Sequence, residues 1–186
     1  MSRKYYYFIA SLPLLEFEGK LLISAADFLN DSKRILVEKD FIVIQELLNN
    51  SISDSSLAND FVKKWSDFLH LLNNEMAAFR AERWGKNPVD FVKGERKKDP
   101  YFISLLNQAA EAINPLEAEK VLDKAKWLFL DEISFGHYFD FEGVIAYAIK
   151  LQILSRYAKY NSEEYKPLYS EYESSAKEEK QYELSA

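Results

Sequence analysis

The sequence predicts an all-α fold, an irregular multi-helix bundle arranged around a central buried αα-hairpin. Residues 114–157 read as two capped helices joined by a short turn. Elsewhere the apolar residues recur three and four apart. Only five glycines and five prolines occur in 186 residues, too few for the tight turns of an all-β chain. In the hairpin, Asn114 is a natural N-cap and Pro115 suits the first helical position, where its missing N–H costs nothing. Glu117 stands where a capping-box acid reaches back. Gly136 can take the left-handed conformation that ends a helix, and Asp140 can cap the next one. In that second helix Phe141, Val144, Ile145, Tyr147, Ile149, Leu151, Ile153 and Leu154 leave little polar face beyond Gln152 and Arg156. A helix apolar nearly all round is buried by other helices.

The remaining elements follow in chain order. The aromatic and aliphatic run 5–10 ends at Ser11-Leu12-Pro13 and fits either a short buried strand or a buried helical turn. Residues 14–23 are expected to cross the surface as a loop around Gly19. Ser24 with Asp27 makes a capping-box-like start for a short helix through Phe28 and Leu29. A second helix, at about 39–49, carries Phe41, Ile44, Leu47 and Leu48 at helical spacing. Asp54 or Ser55 is expected to open the longest helix, running to about Trp84. Its stripe is Leu57, Phe61, Trp65, Phe68, Leu69, Leu72, Met76 and Phe79. Gly85 stops it, Asn87-Pro88 starts a short turn around Phe91, and Pro100 marks the boundary before a helix over 101–112. Residues 1–160 are thus expected to form a single helical domain. Residues 161–186, rich in Glu, Ser, Lys and Tyr, form a polar, charged C-terminal tail that buries little.

Composition excludes several functions. A net charge of −6 gives no electrostatic case for nucleic acid or anionic membranes. Without cysteine there is no disulfide, thiolate nucleophile or thiolate metal site. No apolar run reaches the ~18 residues of a membrane span, and the first residues lack a convincing leader-cleavage site, so a soluble cytoplasmic protein is expected. No glycine-rich phosphate loop is present. His70 and His137 are the only histidines. The pair His137 and Asp140 can in principle hold a metal, but fixing the hairpin turn is the simpler role, and no metal or cofactor is expected. Asp131, Glu132 and Asp140 can suggest acid–base chemistry, although solvation and capping of helix ends explain them better. No catalytic residue is assigned.

Two features remain. Arg80, Arg83, Lys86, Lys93, Arg96, Lys97 and Lys98, interleaved with Phe79, Trp84 and Phe91, make one basic-leaning region. Glu82, Asp90, Glu95 and Asp99 lie among them, which favours a solvated face or protein contact over a nucleic-acid site. Lys150 sits in the apolar helix. Its stem can pack while its ammonium snorkels out. The sharper reading is a buried ion pair with Asp123 or Asp131, whose loss would cost on the order of 3–5 kcal/mol.

The stretches YYYFIASLP (5–13), RAERWGKNP (80–88) and the hairpin 114–154 resemble a bacterial family of unknown function whose genes lie among those for V/A-type ATPases. That family is similar to a short counterpart of the funnel subunit of these enzymes, an all-helical protein joining the central stalk to the membrane rotor ring. The funnel subunit has three similar helical domains, and this chain has room for about one and a half. The resemblance implies a non-catalytic subunit or assembly factor of a rotary ATPase engaged in ion transport. Its partners would be the central-stalk and rotor-ring subunits, at the cytoplasmic face of the membrane. The expected contact surfaces are Arg80, Arg83 and Trp84, or the turn residues Phe135, His137, Tyr138 and Phe139. The alternative is an independent helical adaptor that regulates another protein.

Overall fold

A computed structural model describes residues 3–94, 96 and 98–160. The described residues form eight α-helices and one short 3-10 helix: α1 Arg3–Ser11, α2 Ala25–Ile35, α3 Glu38–Leu48, α4 Asp54–Leu57, α5 Asp60–Arg83, the 3-10 helix Pro88–Phe91, α6 Pro100–Ala110, α7 Pro115–Ile133 and α8 Phe141–Tyr160. No strand occurs among them. The tail 161–186 lies outside the described residues.

The core is built around α8. Val144, Ile145, Ala148 and Leu151 have no exposed surface, and α8 touches α1, α2, α3, α5 and α7. This follows from a helix with apolar residues on every side. The run 5–10 resolves as helix α1, which drops Phe8 onto Phe28 of α2, with ring centroids 5.8 Å apart. Phe28 in turn meets Tyr147 of α8 at 5.3 Å. The α8 residue Gln152 donates to the carbonyls of Leu47 and Leu48, groups that the end of α3 leaves without intrahelical partners.

On the other side, α5 and α7 run antiparallel. Phe129 of α7 stacks on Phe68 at 4.1 Å and faces Trp65, both near the start of α5. Ala118 and Leu122, near the start of α7, face Phe79 and Trp84 at the end of α5. The loop before α2 is not a free surface crossing, since Phe17 wedges edge-on against Trp127 and Tyr157.

The longest helix starts later than its apolar stripe suggests. Asn59 is extended, with ψ 123°, and its side chain accepts from the N–H groups of Phe61 and Val62, so it caps a new helix. The preceding turn, α4, is a separate element that contacts α5 and is also tied to α3. The Glu46 carboxylate accepts the Ser53 N–H and the hydroxyls of Ser53 and Ser56.

Two buried carboxylates lie toward the same end of the bundle, where α5 and α8 finish and α7 begins. Asp123, 1% exposed, accepts from Lys126, from Arg156 on both oxygens, and from the Tyr157 hydroxyl at 2.7 Å. Glu75, 2% exposed, receives Arg96 through two nitrogens at 2.9 and 3.0 Å, and Arg96 also reaches Glu82 at 2.8 Å. Beside it, the Asn74 amide donates to the Lys93 carbonyl and accepts its N–H. The loop after α5 is therefore clamped onto that helix by buried polar groups that each have partners. No helix among the described residues is long and apolar enough to cross a membrane.

Burial alone would push the Asp123 carboxyl up, but Lys126, the Tyr157 hydroxyl and Arg156 outweigh it and hold it below the ordinary carboxylate value. Glu46 is held low by the Ser56 hydroxyl and by the N–H and hydroxyl of Ser53. Both carboxylates contribute stability above the unfolded range near ~4, and it is lost as pH falls through their lower folded values. Tyr147 moves the other way, pushed up to about 12 by burial. Burial, followed by the Asp123 carboxylate, likewise raises Tyr157. These hydroxyls contribute stability below pH ~10 that is lost as pH rises toward their folded values. Urea unfolding across pH should give a plateau between about pH 5 and pH 9 with a falling limb on each side. Asp123→Asn should cost on the order of 3–5 kcal/mol at pH 7, by leaving Arg156 and Lys126 short of their acid, and should shrink the acid limb. An unchanged acid limb would contradict the assignment.

Candidate interaction surface at the hairpin turn

The turn between α7 and α8 is built by short-range hydrogen bonds. Ser134 N–H bonds the Leu130 carbonyl, Phe135 N–H that of Glu132, and His137 N–H that of Ser134 at 2.9 Å. Gly136 supplies the left-handed residue this path needs, with φ +89°. Asp140 then closes the turn from both sides. One oxygen lies 2.7 Å from His137 Nδ1, and the other accepts the Gly143 N–H at 3.1 Å. Gly143 has no room for a side chain, because a Cβ there would lie 2.5 Å from the His137 carbonyl oxygen and 3.2 Å from Ile9 of α1. The first turn of α8 therefore seats directly on the turn backbone. The His137 ring also meets Phe61 edge-on at 6.2 Å, which fixes the turn to the start of α5.

This frame holds aromatic rings outward. Phe135 is 81% exposed, and Tyr138 and Phe139 are also exposed. Phe139 packs on Tyr6 of α1 at 4.6 Å, and Tyr6 meets Tyr7 edge-on at 5.5 Å. Tyr138 bridges Phe135 and Phe139. Five rings thus form one connected exposed patch, the kind of apolar surface that marks interaction sites. Beside it lies a cleft of about 440 Å³, lined by Leu12, Leu14, Phe135, Tyr138, Asp131 and Lys150.

Sequence reasoning found Phe135, His137, Tyr138 and Phe139 but missed Tyr6 and Tyr7. Their signal was available in the helical reading of 5–10. There Tyr5 turns inward and donates to Asp40, while the next two tyrosines face outward. His137 belongs to the frame more than to the display, because its ring is engaged by Asp140 and Phe61.

Arg80, Arg83 and Trp84 do not join this surface. The turn sits at the start of α5, against Phe61, and these three at its end, roughly 30 Å away along the helix.

The alternative reading of Lys150, a buried ion pair with Asp123 or Asp131, needs correction in two respects. Asp123 is not its partner, because Lys126, Arg156 and Tyr157 already occupy that carboxylate. Lys150 does bond Asp131, yet the Asp131 side chain is 50% exposed, so the pair lies at the surface. The Lys150 stem is covered, and its ammonium sits 5.1 Å from the centre of the Trp127 ring.

The carboxylates Asp131, Glu132 and Asp140 do not converge on a common point through shared partners. Asp131 serves Lys150 and Asp140 serves the turn, while Glu132 is exposed. His137, Asp140 and Glu142 come within 4.8 Å of one another, close enough to hold a metal. Both Asp140 oxygens are already committed to the turn, which accounts for the grouping without one.

Residues 97–171 match a family described as a protein of unknown function (DUF2764). The matched span takes in α6 and the whole hairpin and continues past Tyr160 into the tail, beyond the domain boundary expected at residue 160. No curated protein and no solved structure matches the chain.

Two substitutions test this geometry. Gly143→Ala should destabilise the protein by about 1–3 kcal/mol in urea unfolding, since the clash is with backbone. A neutral result would mean that α8 does not seat on the turn. Lys150→Met should change stability by less than about 1 kcal/mol, because the surviving acid is half in water. A loss near the cost of a buried pair would reinstate that pair.

Proposed function

We propose that the protein is a non-catalytic interaction subunit or assembly factor of a V/A-type rotary ATPase. In this reading it acts at the cytoplasmic face of the membrane, between the central stalk and the rotor ring, and contributes to ion transport by holding those parts together. The observation that carries the reading is the connected patch of Phe135, Tyr138, Phe139, Tyr6 and Tyr7, exposed on a turn fixed by Asp140, Gly136 and Gly143. Aromatic anchors on a pre-organised frame bind with little ordering cost. Support for the partner comes from the resemblance of the hairpin to proteins encoded with these ATPases. The all-helical bundle is also compatible with a short counterpart of the funnel subunit.

The surroundings of the patch define the partner face. Asp131, Glu132, Asp140 and Glu142 lie within the turn or the helix ends that flank it, and of these only Asp131 has a lysine partner among the described residues. A complementary face would be apolar at its centre with lysine or arginine at its rim.

The test is affinity purification of the tagged protein from its host, with mass-spectrometric identification of what accompanies it. Rotary ATPase stalk or ring subunits should be recovered with the wild-type chain. They should be lost with the Phe135→Ala/Tyr138→Ala double variant, whose stability should stay within about 0.5 kcal/mol per exposed site. Recovery of the wild-type chain without any ATPase subunit would refute the reading and leave an independent helical adaptor as its replacement.

A further inference from the structure

The far end of α5 carries a second surface that the turn patch does not explain. A groove of about 570 Å³ runs between the last turns of α5, the end of α6 and the first turns of α7. Its walls include Met76, Phe79, Leu106 and Leu122, and the exposed Arg80 and Arg83 lie along it. Trp84, 71% exposed, stands at one end. Among the acids near the groove, Glu75 and Glu82 are committed to Arg96, and Asp99 to the first turn of α6. Among the described residues neither Arg80 nor Arg83 has a carboxylate partner, and Arg83 instead lies over the Phe79 ring at 5.9 Å. An apolar trough edged by two guanidinium groups that have no carboxylate partner among the described residues is suited to a segment bearing both acids and apolar or aromatic side chains.

We propose that this groove is the docking site of the chain's own C-terminal segment, residues 161–186. Charge is the first argument. That segment contains seven glutamates and three lysines, a net charge of −4 out of −6 for the whole chain. The second is composition, since Tyr165, Leu168, Tyr169 and Tyr172 are interspersed with Glu163, Glu164, Glu171 and Glu173. The third is position. Arg156 and Tyr157, in the last turn of α8, bind Asp123, the neighbour of the groove residue Leu122. The last turn of α8 therefore lies on one side of the same α7 turns whose other side walls the groove. Packed helix axes are about 8–10 Å apart. A few extended residues at ~3.3–3.6 Å each span that distance. Docking within one chain also gives the segment a high effective concentration at the groove. The groove lies at the opposite end of α5 from the turn patch, so the proposal stands or falls independently of the ATPase reading.

Trp84 reports on occupancy without a label, because Trp65 and Trp127 are 5% and 6% exposed. The experiment is quenching of tryptophan fluorescence by the neutral quencher acrylamide in the full chain at low salt, over a range of protein concentrations. Trp84 should be shielded, and the shielding should not depend on concentration. Arg80→Glu/Arg83→Glu should raise its quenching constant at least about three-fold, and so should high salt, which screens exposed charge pairs. Both arginines are exposed, so the variant should fold, which far-UV circular dichroism verifies. Free quenching of Trp84 in the wild-type chain would overturn the proposal. So would shielding that survives the charge reversal, or shielding that fades on dilution, which would identify a second copy as the occupant.

Discussion

The structure depends on a helix with almost no polar face. Along α8 the residues Val144, Ile145, Ala148, Leu151, Ile153 and Leu154 point in every direction, and leaving any of them in water costs about 1–3 kcal/mol per large side chain. The chain meets that constraint by laying α1, α2 and α3 over one part of α8 and α5 and α7 over the rest. α3 is held through its orphan carbonyls by Gln152, and α1 through the stack of Phe8, Phe28 and Tyr147.

Buried charge then sets one end. Asp123 gathers Lys126, Arg156 and Tyr157 where α8 finishes, and Arg96 gathers Glu75 and Glu82 where the loop after α5 returns. Such pairs add little net stability over apolar replacements, but losing one partner strands a charge. They fix geometry, and here the Arg96 clamp fixes one of the two places where loops present exposed aromatics. The loop clamped by Arg96 exposes Trp84 and Phe91, with Lys86 close to both rings. At the opposite end the hairpin turn exposes Phe135 and Tyr138.

Much of this was legible in the residues because helix signals are local. Asn114, Pro115, Gly136 and Asp140 act as caps and stops as their types suggest, and the all-round apolar character of α8 located the core. Where the reading stopped short, the cause lay in interactions distant in sequence. Nothing in the periodicity separates α4 from α5, because the decisive groups are the Asn59 side chain and the Glu46 carboxylate of another helix. The Arg96–Glu75 clamp joins residues 21 apart across a loop and leaves no spacing signature. The same holds for Tyr6 joining Phe139, which brings the chain's first helix to its last hairpin. Asp123 was legible only as one of two acids within reach of Lys150. Which cation it binds was not legible, since Lys126, Lys150 and Arg156 all lie at plausible helical positions and only packing decides among them.

The hairpin turn is where the buried helix, its caps and the exposed rings meet. It is fixed by backbone hydrogen bonds, one left-handed glycine, a glycine with no room for a side chain, and an aspartate using both oxygens, so its rings stand on a rigid base. The most direct test of that rigidity is 15N relaxation across residues 134–140. Backbone order parameters near ~0.85 are expected, equal to those of α7 and α8 on either side. Values below about 0.6 would show a turn moving freely on the fast timescale, and would contradict a pre-organised interaction surface.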